Sequence, residues 1–179
     1  MPGSVLRAAV IVSTACAVVA TATIVKREIR PGIGRPRPVS VPGALWDSLL
    51  TTGHWIGPRR APVVLVEFGD FECPACGAFA RVIESVKRAN PSGLALVYHH
   101  LPIPYHERAT TLAHGAECAA EQGAFARYYS YLFRNQSAAV RMPVVELAVR
   151  SGVPDTARHG RCMSSSTEGC IASKWTPRS

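Results

Sequence analysis

VVLVEFGDFECPACGAFA, residues 63–80, joins two patterns that rarely meet by chance. Its first half, entered from Pro62, is a continuous β-branched and apolar run closed by Gly69, the pattern of a buried strand. Its second half sets Cys73 and Cys76 three positions apart and then becomes an alanine-rich amphipathic stretch. Pro74 suits the first position of a helix, where its missing N–H would have had no partner. A helix is therefore expected to start at the cysteines and to run through Phe79, Val82, Ile83 and Val86 to Asn90-Pro91. LALVYHHLPI, residues 94–103, reads as a second strand. Strand, helix and strand within about forty residues make a βαβ unit, whose two strands run parallel.

A Cys-x-x-Cys pair set between a strand and a helix has three chemical readings. In the redox reading, Cys73 lies among unpaired backbone N–H groups at the positive end of the helix dipole, both of which favour thiolate over thiol. Cys76 then returns across the first turn to close a disulfide, so Cys73 attacks and Cys76 resolves. The helix start should leave Cys73 reachable and turn Cys76 inward. Metal ligation uses the same spacing, but zinc would need a second pair, which Cys118, Cys162 and Cys170 do not form. A metal site would have to recruit His99, His100, His106 or His114. Two inert buried thiols are the third reading. The strand before and the helix after the pair favour redox chemistry, and neither a cofactor nor a metal is expected.

A chain of 179 residues suits one domain with a tether. Ala8 to Val25 is uncharged; as a helix these eighteen residues reach roughly 27 Å, just short of a hydrocarbon core of roughly 30 Å. Residues 1–30 are read as a signal anchor, with cleavage after Ala20-Thr21-Ala22 and secretion as the alternative. Residues 31–43, PGIGRPRPVSVPG, compose an extended linker. The segment to 52 that completes it opens ALWDSLLTTGHWIGP, read as a short amphipathic helix or hairpin lying against the domain.

The net charge of +8 is uneven: the first 60 residues hold eight Lys and Arg against Glu28 and Asp47, a net of +6, which leaves +2 for the rest. Nucleic-acid binding needs a basic face on the folded part, so no nucleic-acid partner is expected, and the basic tether suits anionic lipid headgroups. Basic residues after the apolar run would by themselves hold the domain in the cytoplasm. Six cysteines argue for an oxidising compartment, and the extracytoplasmic side, periplasmic or extracellular, is the expected location.

VEFGDFECPAC after an apolar strand resembles the thioredoxin-fold, DsbA-type thiol:disulfide oxidoreductases, in their small exported or membrane-anchored branch. HLPIPYHERATTLAHGAECAAEQGAFARYYSYLF is similar to the helical segment that those proteins insert, and its helix is expected to break near Gln122-Gly123. The resemblance runs from Gly53 to Ser166. It implies an α/β domain over 53–179, a thioredoxin-like βαβ half with a helical insertion at about 104–166. It also implies that Glu67, six residues before Cys73, sits beneath the pair and relays the resolving cysteine's proton, with a raised pKa in that partly apolar place. His106 stands where the family has a histidine at the start of the insert, and a hydrogen-bonding role there is expected. Tyr128, Tyr129, Tyr131 and Phe133 are read as core and groove packing. Cys118 and Cys162 match pairs that close a second disulfide in exported relatives. Ala75 in place of the histidine of the strongest oxidants, with Asp70 and Glu72 adding negative charge near the thiolate, should soften the oxidising power.

The resemblance further implies a closing half of two strands and a helix, with a cis-proline loop beside the disulfide. After Ser166 the sequence offers TEGCIASKWTPRS, in which Pro177 is the cis-proline candidate. The closing half is expected to be missing, leaving the second strand's outer edge and one sheet face uncovered. The implied function is a membrane-tethered extracytoplasmic oxidoreductase acting on protein thiols and disulfides, with a membrane redox partner. The alternatives are an impaired thioredoxin-like remnant or binding module and, third, a metallochaperone using the cysteines with His99 or His100.

Overall fold

The structure, a computed structural model, describes residues 39–165, and from Val41 they belong to one compact unit. The expected signal anchor at 1–30, the linker to residue 38, Cys170 and the candidate cis-proline Pro177 lie outside the described residues. No helix among the described residues is long and apolar enough to cross a membrane.

Strands β2 (Val63–Gly69) and β3 (Leu94–His100) run parallel, paired from Val63 with Leu94 to Gly69 with His100, and helix α2 (Pro74–Ala89) connects them. This is the βαβ unit that the sequence predicts. The sheet nevertheless has a third strand. Helix α1 (Gly43–Thr52) leads into β1 (His54–Ile56), which pairs antiparallel with β3 and gives the order β1-β3-β2. The outer edge expected to be open is thus occupied by β1, and among the described residues the unpaired edge belongs to β2. Three residues are too few to show a period of two, so this strand has no local signature. Its anchors are non-local: the Trp55 indole donates to the Leu50 carbonyl at 2.8 Å, and His99 Nε2 lies 3.0 Å from the Leu49 carbonyl, which seats α1 beside β3.

One face of the sheet presents Ile56, Leu96 and Tyr98 to Ala80 and Ile83 of α2 and to Tyr129 and Phe133, the main core. Of the apolar residues that mark α2 in the sequence, only Ile83 is buried; Phe79, Val82 and Val86 are 43%, 58% and 46% exposed. On the opposite face Phe68 stacks on His99 with ring centroids 5.1 Å apart and stays half exposed.

The helical insertion follows β3. It consists of α3 (Ala109–Ala120), α4 (Phe125–Arg134), α5 (Gln136–Ala139), α6 (Val144–Arg150) and α7 (Thr156–Met163). The break expected near Gln122-Gly123 falls there, with Gly123 at φ 65°, a left-handed turn that favours glycine. Helix α3 is built of small residues and is buried along most of its length, so α4, α6 and α7 pack closely around it. Asp155 caps α7 by accepting the Arg158 N–H at 2.8 Å. A disulfide between Cys118 and Cys162, Cα atoms 5.8 Å apart, fastens α7 to α3.

Candidate active site

β2 ends at Gly69, the chain turns through Asp70 to Glu72, and Cys73 caps α2 with Pro74 at its first position. The Cys73 N–H donates to the Asp70 carbonyl at 3.2 Å, and the Cys73 carbonyl accepts the Gly77 N–H at 3.1 Å, so the motif is wound onto the helix by its own backbone. Cys73 and Cys76 are both thiols and both half-buried. Burial alone therefore does not separate a reachable sulfur from a shielded one. The contrast is electrostatic at Cys76, whose thiol is pushed up to about 11, first by burial and further by the neighbouring Cys73 sulfur and the Glu67 carboxyl. The Asp70 backbone N–H, hydrogen-bonded to Cys76, pulls the other way.

Glu67, at the end of β2, is 7% exposed, and burial pushes its carboxyl up to about 7 even though the Tyr129 hydroxyl donates to Oε2 at 3.0 Å. Tyr129, expected to pack, does so with its ring, but its hydroxyl also orients this acid. The same burial and the Glu67 charge push the Tyr98 and Tyr129 phenols above their ordinary value.

Asp70 and Glu72, expected to add negative charge near the thiolate, are also held in place by hydrogen bonds. Asp70 Oδ1 accepts from the Glu72 N–H, and Oδ2 from the Ile103 N–H and His106 Nδ1, all at 2.8 Å. Glu72 Oε2 accepts the Arg108 N–H at 2.8 Å, while the Arg108 guanidinium donates to the Val140 and Met142 carbonyls. His106 has the hydrogen-bonding role expected of it, and these bonds clasp the cysteine turn to the start of the insertion.

Gln136 is the site residue that sequence reasoning missed. Its Nε2 donates to the Phe71 carbonyl at 2.9 Å and the Cys73 carbonyl at 2.8 Å, and its amide lies where a Cβ on Gly77 would be. The glycine four residues after Cys73 was the available signal, but nothing in it names a partner in a one-turn helix far along the chain.

The metal readings can be set against the same geometry. Two groups of three close donors occur among the described residues, His54 with His100 and Glu117, and His114 with Cys118 and Cys162. Neither contains Cys73 or Cys76, so the ligand set of cysteines with His99 or His100 is not assembled. In the first group Glu117 Oε1 lies 2.7 Å from His54 Nε2 and 3.2 Å from His100 Nε2. A cavity of about 470 Å³ lies away from the cysteines, between the far part of α2 and α4, lined among others by Ile83, Lys87, Leu96 and Phe133.

A cysteine pair capping the helix of a βαβ unit, beside a buried strand-end acid and with a helical insertion after the second strand, defines a thioredoxin-fold protein. The chain belongs to the thioredoxin family, whose model, described as Thioredoxin, matches residues 50–174. Its fold is similar to that of a thioredoxin-like oxidoreductase from Silicibacter pomeroyi DSS-3, at 26% identity and TM-score 0.56 over 72% of this chain and 74% of that one. In fold alone it is similar to oxidised BdbD from Bacillus subtilis, 17% identical with TM-score 0.57 over 70% and 73% of the two chains. The thiol-disulfide exchange protein alpha-DsbA2 from Wolbachia pipientis is another such neighbour, 16% identical with TM-score 0.54 over 73% and 72%. Among curated proteins, 84 residues are 40% identical to Na(+)/H(+) antiporter NhaA 3 of Salinispora tropica, and 84 are 39% identical to NhaA 1 of Mycobacterium sp. strain KMS. Each match covers 46% of this chain and only 13% or 14% of the relative, so the chain corresponds to a small part of those proteins.

Proposed function

We propose that this chain is a thiol:disulfide oxidoreductase that exchanges disulfides with protein thiols through Cys73 and Cys76, tethered to the membrane by its N-terminal segment and facing the extracytoplasmic side. The observation that carries the reading is the buried Glu67 carboxyl, held by Tyr129 and electrostatically coupled to Cys76. A Cys76 thiol held near 11 is a poor nucleophile at neutral pH, and an acid titrating near 7 is suited to taking its proton.

The exchange balances as follows. In the oxidising direction the active pair is a disulfide, and a substrate thiolate attacks the Cys73 sulfur. The Cys73–Cys76 bond breaks, a mixed disulfide forms, and Cys76 leaves as a thiolate that takes the Glu67 proton. A second substrate thiolate attacks the first substrate sulfur and releases Cys73, so two electrons pass from substrate to enzyme. In the reducing direction Cys73 attacks a substrate disulfide, Glu67 takes the Cys76 proton, and Cys76 displaces the substrate from Cys73. A membrane redox partner would restore the starting state.

A Cys76→Ala variant tests this reading, because it cannot resolve the intermediate. Mixed with a protein carrying an accessible disulfide, it should accumulate a reducible adduct on Cys73, visible on a non-reducing gel and absent when Cys73 is also replaced. Failure to form the adduct while Cys73 remains alkylatable would count against the function. In the reduced full chain at pH 8, where a thiol titrating near 11 is about one part in a thousand ionised, iodoacetamide should label Cys73 before Cys76. Earlier labelling of Cys76, or equal rates, would reverse the assigned roles.

A further inference from the structure

Beyond the redox pair, we infer that the helical domain contains a second, redox-gated site: when the Cys118–Cys162 disulfide is reduced, the two sulfurs and His114 bind a zinc ion. One donor atom from each of the three residues lies within 4.8 Å of the others. The grouping follows from helical geometry, since His114 and Cys118 are four residues apart on one face of α3 and Cys162 approaches from α7.

The observation pointing to a ligand is His114 itself. Its side chain is almost wholly buried, at 1% exposure, and neither ring nitrogen has a hydrogen-bond partner among the described residues. Buried imidazole nitrogens are ordinarily satisfied, and leaving both bare costs free energy. The neighbouring His159 keeps one partner, its Nε2 lying 2.8 Å from the Gly115 carbonyl and only its Nδ1 bare, whereas His114 has none among the described residues. A metal bond would satisfy one His114 nitrogen.

Two thiolates and an imidazole suit zinc, which takes sulfur and nitrogen donors in a tetrahedron and admits a carboxylate or water as the fourth. Glu121, seven residues after His114, offers the carboxylate: its Oε1 is 3.8 Å from the Cys162 sulfur, and its exposed position opens that side to solvent. In the disulfide state neither sulfur can be a thiolate, so the site is closed. A dithiol or phosphine reductant supplies two electrons, the S–S bond breaks, and both sulfurs take up protons. Zinc then displaces those protons without changing its own oxidation state. Tetrahedral Zn–S bonds of about 2.3 Å put the sulfurs roughly 3.8 Å apart, a small separation for α3 and α7 to accommodate. The metal would replace the disulfide as the clamp between those helices.

The test uses the full chain in detergent with Cys16, Cys73, Cys76 and Cys170 changed to Ser, so that only Cys118 and Cys162 remain. Reduced with a phosphine and titrated with zinc against a chromogenic chelator, it should bind one ion per chain, at least about a hundredfold more tightly than the oxidised form. His114→Ala should weaken binding by more than the roughly hundredfold that losing a mere supporting partner can cost. Because that variant could fail to fold, zinc-edge X-ray absorption of the reduced parent gives a second reading, expected to show two sulfurs and an imidazole. No zinc uptake on reduction, equal uptake by both redox forms, undiminished binding by His114→Ala or a zinc shell without imidazole would each overturn the proposal.

Discussion

Glu67→Gln should slow disulfide exchange about a hundredfold and, above pH 7, stabilise the folded protein by roughly 3 kcal/mol. Both effects come from burial. The carboxyl titrates near 4.5 when exposed and about 7 in the fold, so between those values the native state holds a proton that the unfolded chain has released. Stability therefore falls as pH rises through this window, and the loss is complete above the folded value. A glutamine carries no charge to bury and keeps an oxygen to accept the Tyr129 hydroxyl. Urea midpoints of the parent and the variant should agree near pH 4, diverge between about 4.5 and 7 and stay apart above it; curves that remain parallel would refute the buried-acid account. Function separates a working acid from a costly structural one. The resolving step, followed by release of the substrate thiol from the mixed disulfide, should depend on an ionisation near pH 7 in the parent, and that dependence should vanish in the variant. An unchanged rate would remove Glu67 from the mechanism.

Replacing both Cys118 and Cys162 by Ser should cost about 4 kcal/mol of stability, from the chain-entropy relation applied to a closed loop with a sequence separation of 44. That is a large share of a typical domain's 5–15 kcal/mol, and it falls on the insertion rather than the redox pair. Besides packing against α3 and α6, α7 is tied to the rest among the described residues by polar links that include the His159 contact with Gly115, the bonds between Gln122 and Asp155, and the exposed pair of Arg158 with Glu121 at 3.9 Å. Denaturant unfolding of the oxidised parent and the double variant should separate the midpoints accordingly, while Cys73 remains alkylatable in native buffer. A difference under about 1 kcal/mol would show that packing around α3 holds α7 without the covalent link.

The βαβ unit, the helix start at Cys73 and Pro74, and the break between α3 and α4 are legible in the sequence alone. Each is written in neighbouring residues: a β-branched run between Pro62 and Gly69, a proline where a helix has no use for an N–H, a glycine free to take φ 65°. The resemblance of the motif added Glu67 and the Cys118–Cys162 pair. Features that rest on single long-range contacts become visible only in the folded chain. β1 joins the sheet through three residues, Asp70 and Glu72 close a clasp on the insertion, and Gln136 holds the Cys73 carbonyl from a one-turn helix. Folding also brought His114 to the disulfide and left its ring without a hydrogen-bond partner among the described residues. Periodic burial repeats along a chain and so leaves a pattern; a hydrogen bond between two residues distant in sequence is made once, by whichever side chains folding brings together, and leaves none.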